Sequence, residues 1–285
     1  MVRQKKITGR LQNTLIWRAI DLWQRLYEPL LLRLVRRRAK TNYEVRLKHD
    51  RDDFVSVIVA TYNRSRILVE RTLPSILSQT HRHFEVVVVG DRCIDDTSTR
   101  IKEITDPRVR FFDLKKRGVY PRNVEQRWFV QGSVPRNFGM RVARGDWFVF
   151  ISDDDVLYQD HLETLLRRAK QLGVEFVSAG YEAIRDGNLV QVMPAKNNRG
   201  SDLICGGMQT WLYRSYLKFF LWNRHSWRKP FDRPVDYDLQ QRFYRSGVKM
   251  GHTEDIVYFN PPVEGTNTIG YMAAVFAEKA EGSEG

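Results

Sequence analysis

The chain predicts an α/β fold: one mostly parallel sheet with helices on both faces. Three observations carry this. Short apolar, β-branched runs alternate with helical periodicity from Phe54 onward. The runs are apolar throughout rather than alternating, as strands covered on both faces require. Three of them end abruptly in polar clusters, Thr61-Tyr62-Asn63-Arg64, Gly90-Asp91-Arg92 and Ser152-Asp153-Asp154-Asp155. Ligands of open α/β sheets bind outside such carboxyl ends.

In order, the first strand is expected at 54–60, followed by a helix carrying Ile67, Leu68, Leu73, Ile76 and Leu77 at helical spacing. The second strand is 84–89. Asp95-Asp96-Thr97-Ser98 then supplies the oxygens that the unpaired amides of a helix start need. A third strand at 109–112 precedes a long polar loop, a helix at 135–143 and the strand 147–151. A helix over 160–172 and a strand at 174–179 follow. Beyond Gly200 the aromatic stretch 208–221 is expected to be helical, 222–234 a loop, and 236–246 a helix closed by Gly247. The acidic, small-residue tail 278–285 is expected to be disordered.

The net charge of +13 is concentrated in the N-terminal arm. Between Met1 and Lys48 stand thirteen Lys and Arg against Asp21, Glu28 and Glu44, so the remainder is nearly balanced. A nucleic-acid partner is therefore not expected from the high pI. Residues 11–28 show a broad apolar face, with Leu15, Ala19, Leu22 and Leu26 beside Ile16, Ile20, Trp23 and Tyr27. Pro29 is expected to end that helix, and a second short one to run through 30–39 into Arg36-Arg37-Arg38. Such an arm suits peripheral contact of residues 11–38 with an anionic membrane, or packing on its own domain or in a homo-oligomer. No apolar run reaches the roughly 18 residues of a membrane span, and no secretory signal is read. Cys93 and Cys205 are too few and too far apart for a disulfide framework or a zinc site. A cytoplasmic protein, peripheral on the inner membrane face, is expected. The organisation read is an arm at 1–50, a domain at 51–265 and a tail at 266–285.

Adjacent carboxylates on a strand end repel one another unless a cation sits among them. A hard divalent ion shared with phosphate oxygens is the natural solution, so Asp153–Asp155 point to a metal-held nucleotide diphosphate. His161, His225 and His252 lack ligand spacing. Trp211, Trp222 and Trp227 would stack on a sugar or fill a core.

Ser56 to Arg64 resembles the opening strand of the family-2 glycosyltransferases of GT-A fold, and 88–97 is similar to that family's second motif. Pro135-Arg136-Asn137-Phe138-Gly139 resembles its Ala-Arg-Asn-x-Gly segment, and 145–155 the strand into its Asp-x-Asp motif. Val235-Asp236-Tyr237-Asp238-Leu239-Gln240-Gln241-Arg242 resembles its Glu-Asp-x-Asp-Leu-x-x-Arg segment, so the likeness spans about Phe54 to Gly251. It implies a metal-dependent, inverting transfer from a nucleotide-diphosphate sugar to an acceptor hydroxyl on a glycan or lipid-linked molecule. Thr61, Tyr62, Asn63 and Arg64 would lie at the nucleotide, with Asp91 accepting from the base. Arg136 would reach the pyrophosphate, Asn137 steady its loop and Asp153 approach the ribose. Asp154 or Asp155 would ligate Mn²⁺ or Mg²⁺, and Asp236 would be the general base. Ser246 replaces the tryptophan of the processive synthases' Gln-x-x-Arg-Trp motif, which favours a single addition. The rival readings are a nucleotidyltransferase, for which Ala60–Arg64 lacks a glycine-rich phosphate loop, and a non-catalytic nucleotide-binding scaffold of the same fold.

Overall fold

The computed structural model describes residues 2–47, 53–196 and 202–262; the predicted disordered tail lies outside them. Helix α1 (Val2–Leu47) precedes β1 (Val55–Thr61), α2 (Ser65–Ile67), a π-helical turn (Leu68–Thr72), α3 (Leu73–Leu77) and β2 (Phe84–Gly90). Then come α4 (Thr97–Lys102), β3 (Val109–Asp113), α5 (Val124–Trp128), α6 (Ser133–Val142), β4 (Trp147–Ser152), β5 (Val156–Leu157) and α7 (His161–Leu172). The strands β6 (Phe176–Arg185), β7 (Asn188–Val192), β8 (Ala195–Lys196), β9 (Ile204–Cys205) and β10 (Trp211–Arg214) follow, before α8 (Val235–Ser246) and β11 (Met250–Asn260).

The main sheet runs β3-β2-β1-β4-β10-β6-β11-β5, with β7 paired to β6. It is parallel from β3 to β4. Beyond β4 it is mixed, because β10 runs antiparallel between β4 and β6 while β6 and β11 are parallel. Residues alternate between two cores, as a pleated strand dictates. Val55, Val57 and Val59 of β1 face a core built with the 65–77 helical segment, α4 and α7. Ile58 faces the other, more aromatic core, where Phe148, Phe150, Trp211, Tyr213, Trp222 and Phe243 meet α1, α6 and α8. Trp211 and Trp222 are thus core residues, their rings stacked at 5.7 Å. Buried His161 is structural as well, its Nδ1 3.0 Å from the Val257 carbonyl oxygen.

Two expectations are corrected. The stretch 208–221 is not a helix: a 3₁₀ turn leads into β10, and a second 3₁₀ turn follows it. A short aromatic run has no periodicity that separates strand from helix, and burial of Trp211, Leu212 and Tyr213 between two strands decides it. Nor does Pro29 end its helix, for α1 is continuous through it. An interior proline costs about 3 kcal/mol, and tertiary contacts on either side of it offset this. Leu32 is buried in the aromatic core, and Glu28 is fully buried. Arg242 of α8 donates to Glu28 Oε1 through Nη2 at 2.7 Å and Nε at 2.9 Å. Burial pushes the Glu28 carboxyl up, opposed by the Arg242 charge. Arg36 adds a paired contact to Glu175 and donates to the Gly247 carbonyl at 2.7 Å. The arm therefore docks on its own domain.

This clasp gives a direct expectation. Glu28→Gln leaves the buried Arg242 with Asp238 as its one anionic partner among the described residues, and removing one member of a buried pair costs about 3 kcal/mol. Chemical denaturation is expected to show a loss of that size with the transition still cooperative; an unchanged midpoint would mean that α1 is not held through Glu28.

Candidate active site

The end of β4 is the centre of the site. Its aromatic and aliphatic residues are fully buried, so the chain leaves the core with Ser152 and turns at once. Asp153 is buried and accepts from Thr61 Oγ1 at 2.8 Å, across the β1–β4 ladder. Arg64 Nη1 lies 3.3 Å from Asp153 Oδ1 and 2.7 Å from Asp154 Oδ2. The turn is held from behind, since Thr72 Oγ1 donates to the Asp153 carbonyl at 2.9 Å and Arg71 Nη2 to that of Asp154 at 2.7 Å. Asp155 folds back, accepting from the Ser152 amide at 3.1 Å, and is 1% exposed.

The β1 and β2 ends form the second wall. Asn63 and Arg92 take left-handed backbone, with φ of 52° and 61°, a strain non-glycine residues adopt at sharp functional corners. Asn63 Oδ1 accepts from the Ile94 amide at 2.9 Å and ties the two corners together. The expected long loop after β3 contains α5 and the start of α6, and its first part, 114–123, engages both oxygens of buried Asp91, one by the Gly118 amide and one by the Tyr120 hydroxyl, each at 2.8 Å. The Arg117 guanidinium stands 3.6 Å from the centre of the Tyr62 ring. The loop thus lies over the end of β2. Asp113, at the end of β3, lies where a side chain on Gly90 would be, its Oδ1 overlapping the place such a Cβ would take.

The third wall comes from α6 and α8. Helix α6 sits directly on β1 at Gly139, where a Cβ would fall 2.5 Å from Ile58 Cγ2. That contact sets the height of Arg136 and Asn137. Asn137 bonds both the amide and the carbonyl of Trp222, at 2.8 and 3.0 Å, fixing the loop into α8. Arg136 is buried with Nη1 on the Gln131 carbonyl at 3.0 Å, and its Nε has no partner among the described residues. The start of α8 is pinned by the Val235 amide on the Phe129 carbonyl at 2.9 Å, which presents Asp236 in the first turn.

Comparison with known proteins decides the family. The model of "Glycosyl transferase family 2" matches residues 56–233. The chain belongs to glycosyl transferase family 2. The GalNAc(5)-diNAcBac-PP-undecaprenol β-1,3-glucosyltransferase of Campylobacter jejuni is 28% identical over 144 residues, 50% of this chain and 42% of that protein. A β-1,3-glucosyltransferase of Escherichia coli acting on α-D-GlcNAc-diphosphoundecaprenol is 24% identical over 141 residues, 49% of this chain and 50% of its own. Among solved structures, S. aureus TarS 1–349 in complex with UDP-GlcNAc gives a TM-score of 0.58 at 20% identity, over 75% of this chain and 60% of that one. The mannosyltransferase PcManGT of Pyrobaculum calidifontis, with GDP-Man and Mn²⁺, gives 0.53 at 17%, over 75% and 58%. The fold is GT-A. The chain spans at most half the length of these curated relatives.

In this family-2 member the charges of the three walls are coupled. Burial, then the Asp154 charge, pushes the Asp155 carboxyl up to about 8. Burial raises Asp153 as well, against the pull of Arg64. It also raises Asp236, opposed by backbone hydrogen bonds from Tyr237 and Asp236 and then by the Arg136 charge. Arg136 itself is pushed down by burial, opposed by Tyr120, Asp236, Asp153 and Asp155. Arg136 is thus the buried cation shared by the acids of two walls.

A divalent ion fits this donor set. Among the described residues no three acidic, His or Cys side chains converge to cage a metal. Mg²⁺-type sites commonly need only one or two carboxylates, with substrate phosphates and water completing the shell. Asp155, a buried carboxylate whose ionised form is disfavoured, is the kind of group a cation relieves. Sequence reasoning missed Arg71, Thr72, Arg117, Tyr120 and Gln209, the last donating to Ser152 Oγ at 3.2 Å. Only the basic run Lys115-Lys116-Arg117 carried any signal.

Arg64 occupies two of the carboxylates such an ion would meet. Arg64→Gln is expected to tighten Mn²⁺ binding to the nucleotide-free protein about fivefold, the scale of a partly exposed ion pair near ~1 kcal/mol. Titration followed by electron paramagnetic resonance reads this directly, and unchanged or weaker binding would remove Arg64 as a competitor.

Proposed function

We propose that this family-2 glycosyltransferase makes a single, metal-dependent, inverting addition from a nucleotide-diphosphate sugar to a hydroxyl of a glycan or lipid-linked acceptor. One observation carries the reading: the Asp153–Asp155 turn after β4 is joined to the end of β1 by the Thr61–Asp153 hydrogen bond at 2.8 Å and by Arg64 on Asp153 and Asp154, with buried Arg136 of α6 and Asp236 of α8 close enough for their charges to act on one another. Acids and a cation from separate elements are thereby gathered at the carboxyl ends of the parallel strands.

The donor's nucleoside lies between the β1 and β2 ends, with Tyr62, Asp91 and the 114–123 loop about the base and Thr61 and Asp153 at the ribose. Asn63 and Asn137 hold the corner and the loop on which these groups depend. Arg136 faces the diphosphate and offsets the charge that grows on it as the glycosidic bond breaks. Asp154 and Asp155 would hold Mn²⁺ or Mg²⁺, which supplies Lewis-acid neutralisation of the same leaving group. Asp236 takes the proton from the acceptor hydroxyl, and one in-line displacement at the anomeric carbon inverts its configuration. Burial favours this role, because a carboxylate raised from its ordinary value is a stronger base. The Campylobacter and Escherichia relatives carry undecaprenol-linked acceptors in their names, and we extend that acceptor class to this chain. The reaction then takes place in the cytoplasm, at the inner face of the membrane holding the acceptor.

A thermal-shift panel of UDP, GDP, dTDP and CMP, with their sugar forms and with or without Mn²⁺, tests the donor site. Stabilisation by one nucleotide that needs the ion and disappears in Asp155→Asn is expected; a panel with no shift would favour the scaffold reading. Asp236→Asn is expected to lower kcat by about 10²–10⁴-fold with little change in donor affinity. The pH profile has a definite sign. The base must be ionised, so kcat/KM falls as pH drops through the raised Asp236 pKa. Arg136→Gln removes the cation that lowers that pKa, so the acid limb is expected to move to higher pH. An acid limb unmoved by Arg136→Gln would argue against Asp236 as the titrating base.

A further inference from the structure

Helix α1 has two apolar faces, and the domain uses one. Leu32 and Glu28 face the body of the protein. On the opposite side Leu15, Leu22, Trp23, Leu26, Leu30 and Leu34 remain 53–66% exposed. Leu15, Leu22, Leu26, Leu30 and Leu34 recur every four or seven residues and Trp23 lies three before Leu26, so they form one stripe along the helix. From Leu15 to Leu34 the stripe is about 28 Å long at 1.5 Å per residue. Isolated exposed leucines need no explanation; a contiguous row on one helix marks an interaction surface.

The charges select the occupant. Among residues 12–39 the acids are Asp21 and Glu28, and both are bound by the domain. Asp21 pairs with Arg25 and with Arg245 of α8, and Glu28 with Arg242. What the exposed side of the helix displays is Arg18, Arg25, Arg33, Arg37 and Arg38. Leucines and a tryptophan bordered by arginines, with no unengaged acid, match an anionic lipid surface. An acid-poor apolar stripe would set like charges against each other in a two-fold pair of copies, which disfavours self-association through this face. Among the described residues no helix is long and apolar enough to cross a membrane, so the contact lies along the surface.

We propose that α1 is a docked interfacial helix: its inner face is clasped to α8 through Glu28–Arg242, and its outer stripe seats the enzyme on an anionic bilayer. Further contacts extend the clasp along the helix: Asn13 accepts from Arg228, Asp21 pairs with Arg245 in the last turn of α8, and Arg36 reaches Glu175 just before β6. The inference rests on the lipid-linked acceptor only for its purpose; its support is the surface itself.

Co-sedimentation of the full chain with phosphatidylcholine vesicles containing or lacking phosphatidylglycerol tests it, without donor or acceptor, so that failure here is separable from failure of the transferase reading. Binding is expected with phosphatidylglycerol and not with phosphatidylcholine alone, and added salt weakens it. Leu22→Gln/Leu26→Gln/Leu30→Gln leaves the clasped face intact and is expected to lower binding at least about tenfold with an unchanged melting temperature. Arg33→Gln/Arg38→Gln is expected to cost about fivefold per charge removed. Wild-type protein that ignores both vesicle types, or a leucine variant that binds as well as wild type, overturns the proposal. A dimer in solution that the leucine variant converts to monomer overturns it too, by giving the stripe to a second copy.

Discussion

The constraint on which this structure turns is the crowding of carboxylates at the end of β4. Asp153 and Asp155 are buried just beyond a buried strand while Asp154 is partly exposed between them, so three carboxylates crowd into a partly dry turn. Like charges in a partly dry site are tolerable only with cations close by. The protein supplies two of opposite character. Arg64 is half-exposed and reaches in from the β1 corner. Arg136 is buried on α6, where Gly139 closely approaches β1. In the proposed reading the exposed cation is the one an incoming ion would compete with, and the buried one would remain as positive potential for a diphosphate.

The placement of Asp236 extends that logic to the far side of the sheet. Helix α8 begins where Phe129 accepts the Val235 amide, and its middle is fastened by Arg242 to Asp238 and to Glu28 of α1. A buried ionic group of this kind is weak evidence for net stability, since apolar packing would serve as well. Its effect is positional: only one register of α1 brings Glu28 to Arg242 while Asp21 reaches Arg245. The arm's inner face and helix α8, which carries Asp236, are thus fixed by the same residues.

Much of this architecture is legible in the amino-acid sequence. Continuous apolar runs identify β1, β2 and β4 because parallel strands covered on both faces have no polar side to mask the signal. Asp153–Asp155 and Asp236 stand out as candidates because carboxylates at strand ends and helix starts contrast with such runs, and the structure places them just after β4 and in the first turn of α8. The failures have equally physical reasons. Residues 211–214 form a strand only because β4 and β6 lie on either side of them, which no local pattern encodes. Pro29 is tolerated only because Glu28 and Leu32 are anchored around it. The partners of the acids are the hardest to see. Thr72 and Arg71 lie on a helical turn and meet β4 through backbone carbonyls, so their residue types carry no hint of the contact.

The 114–123 loop shows why substrate preference is less readable than catalytic class. The chemistry at the diphosphate demands charge, and charge is conspicuous in sequence. Selection of the base and sugar depends on shape and on hydrogen bonds to backbone. Here Asp91 is met by a main-chain amide at Gly118 and a phenol at Tyr120, and Tyr62 by the flat face of Arg117. With both Asp91 oxygens satisfied by the loop, a base can bond to Asp91 only by sharing or displacing those donors. In the proposed reading the loop belongs to the nucleotide pocket, and its donors set the energetic threshold that an incoming base would have to match.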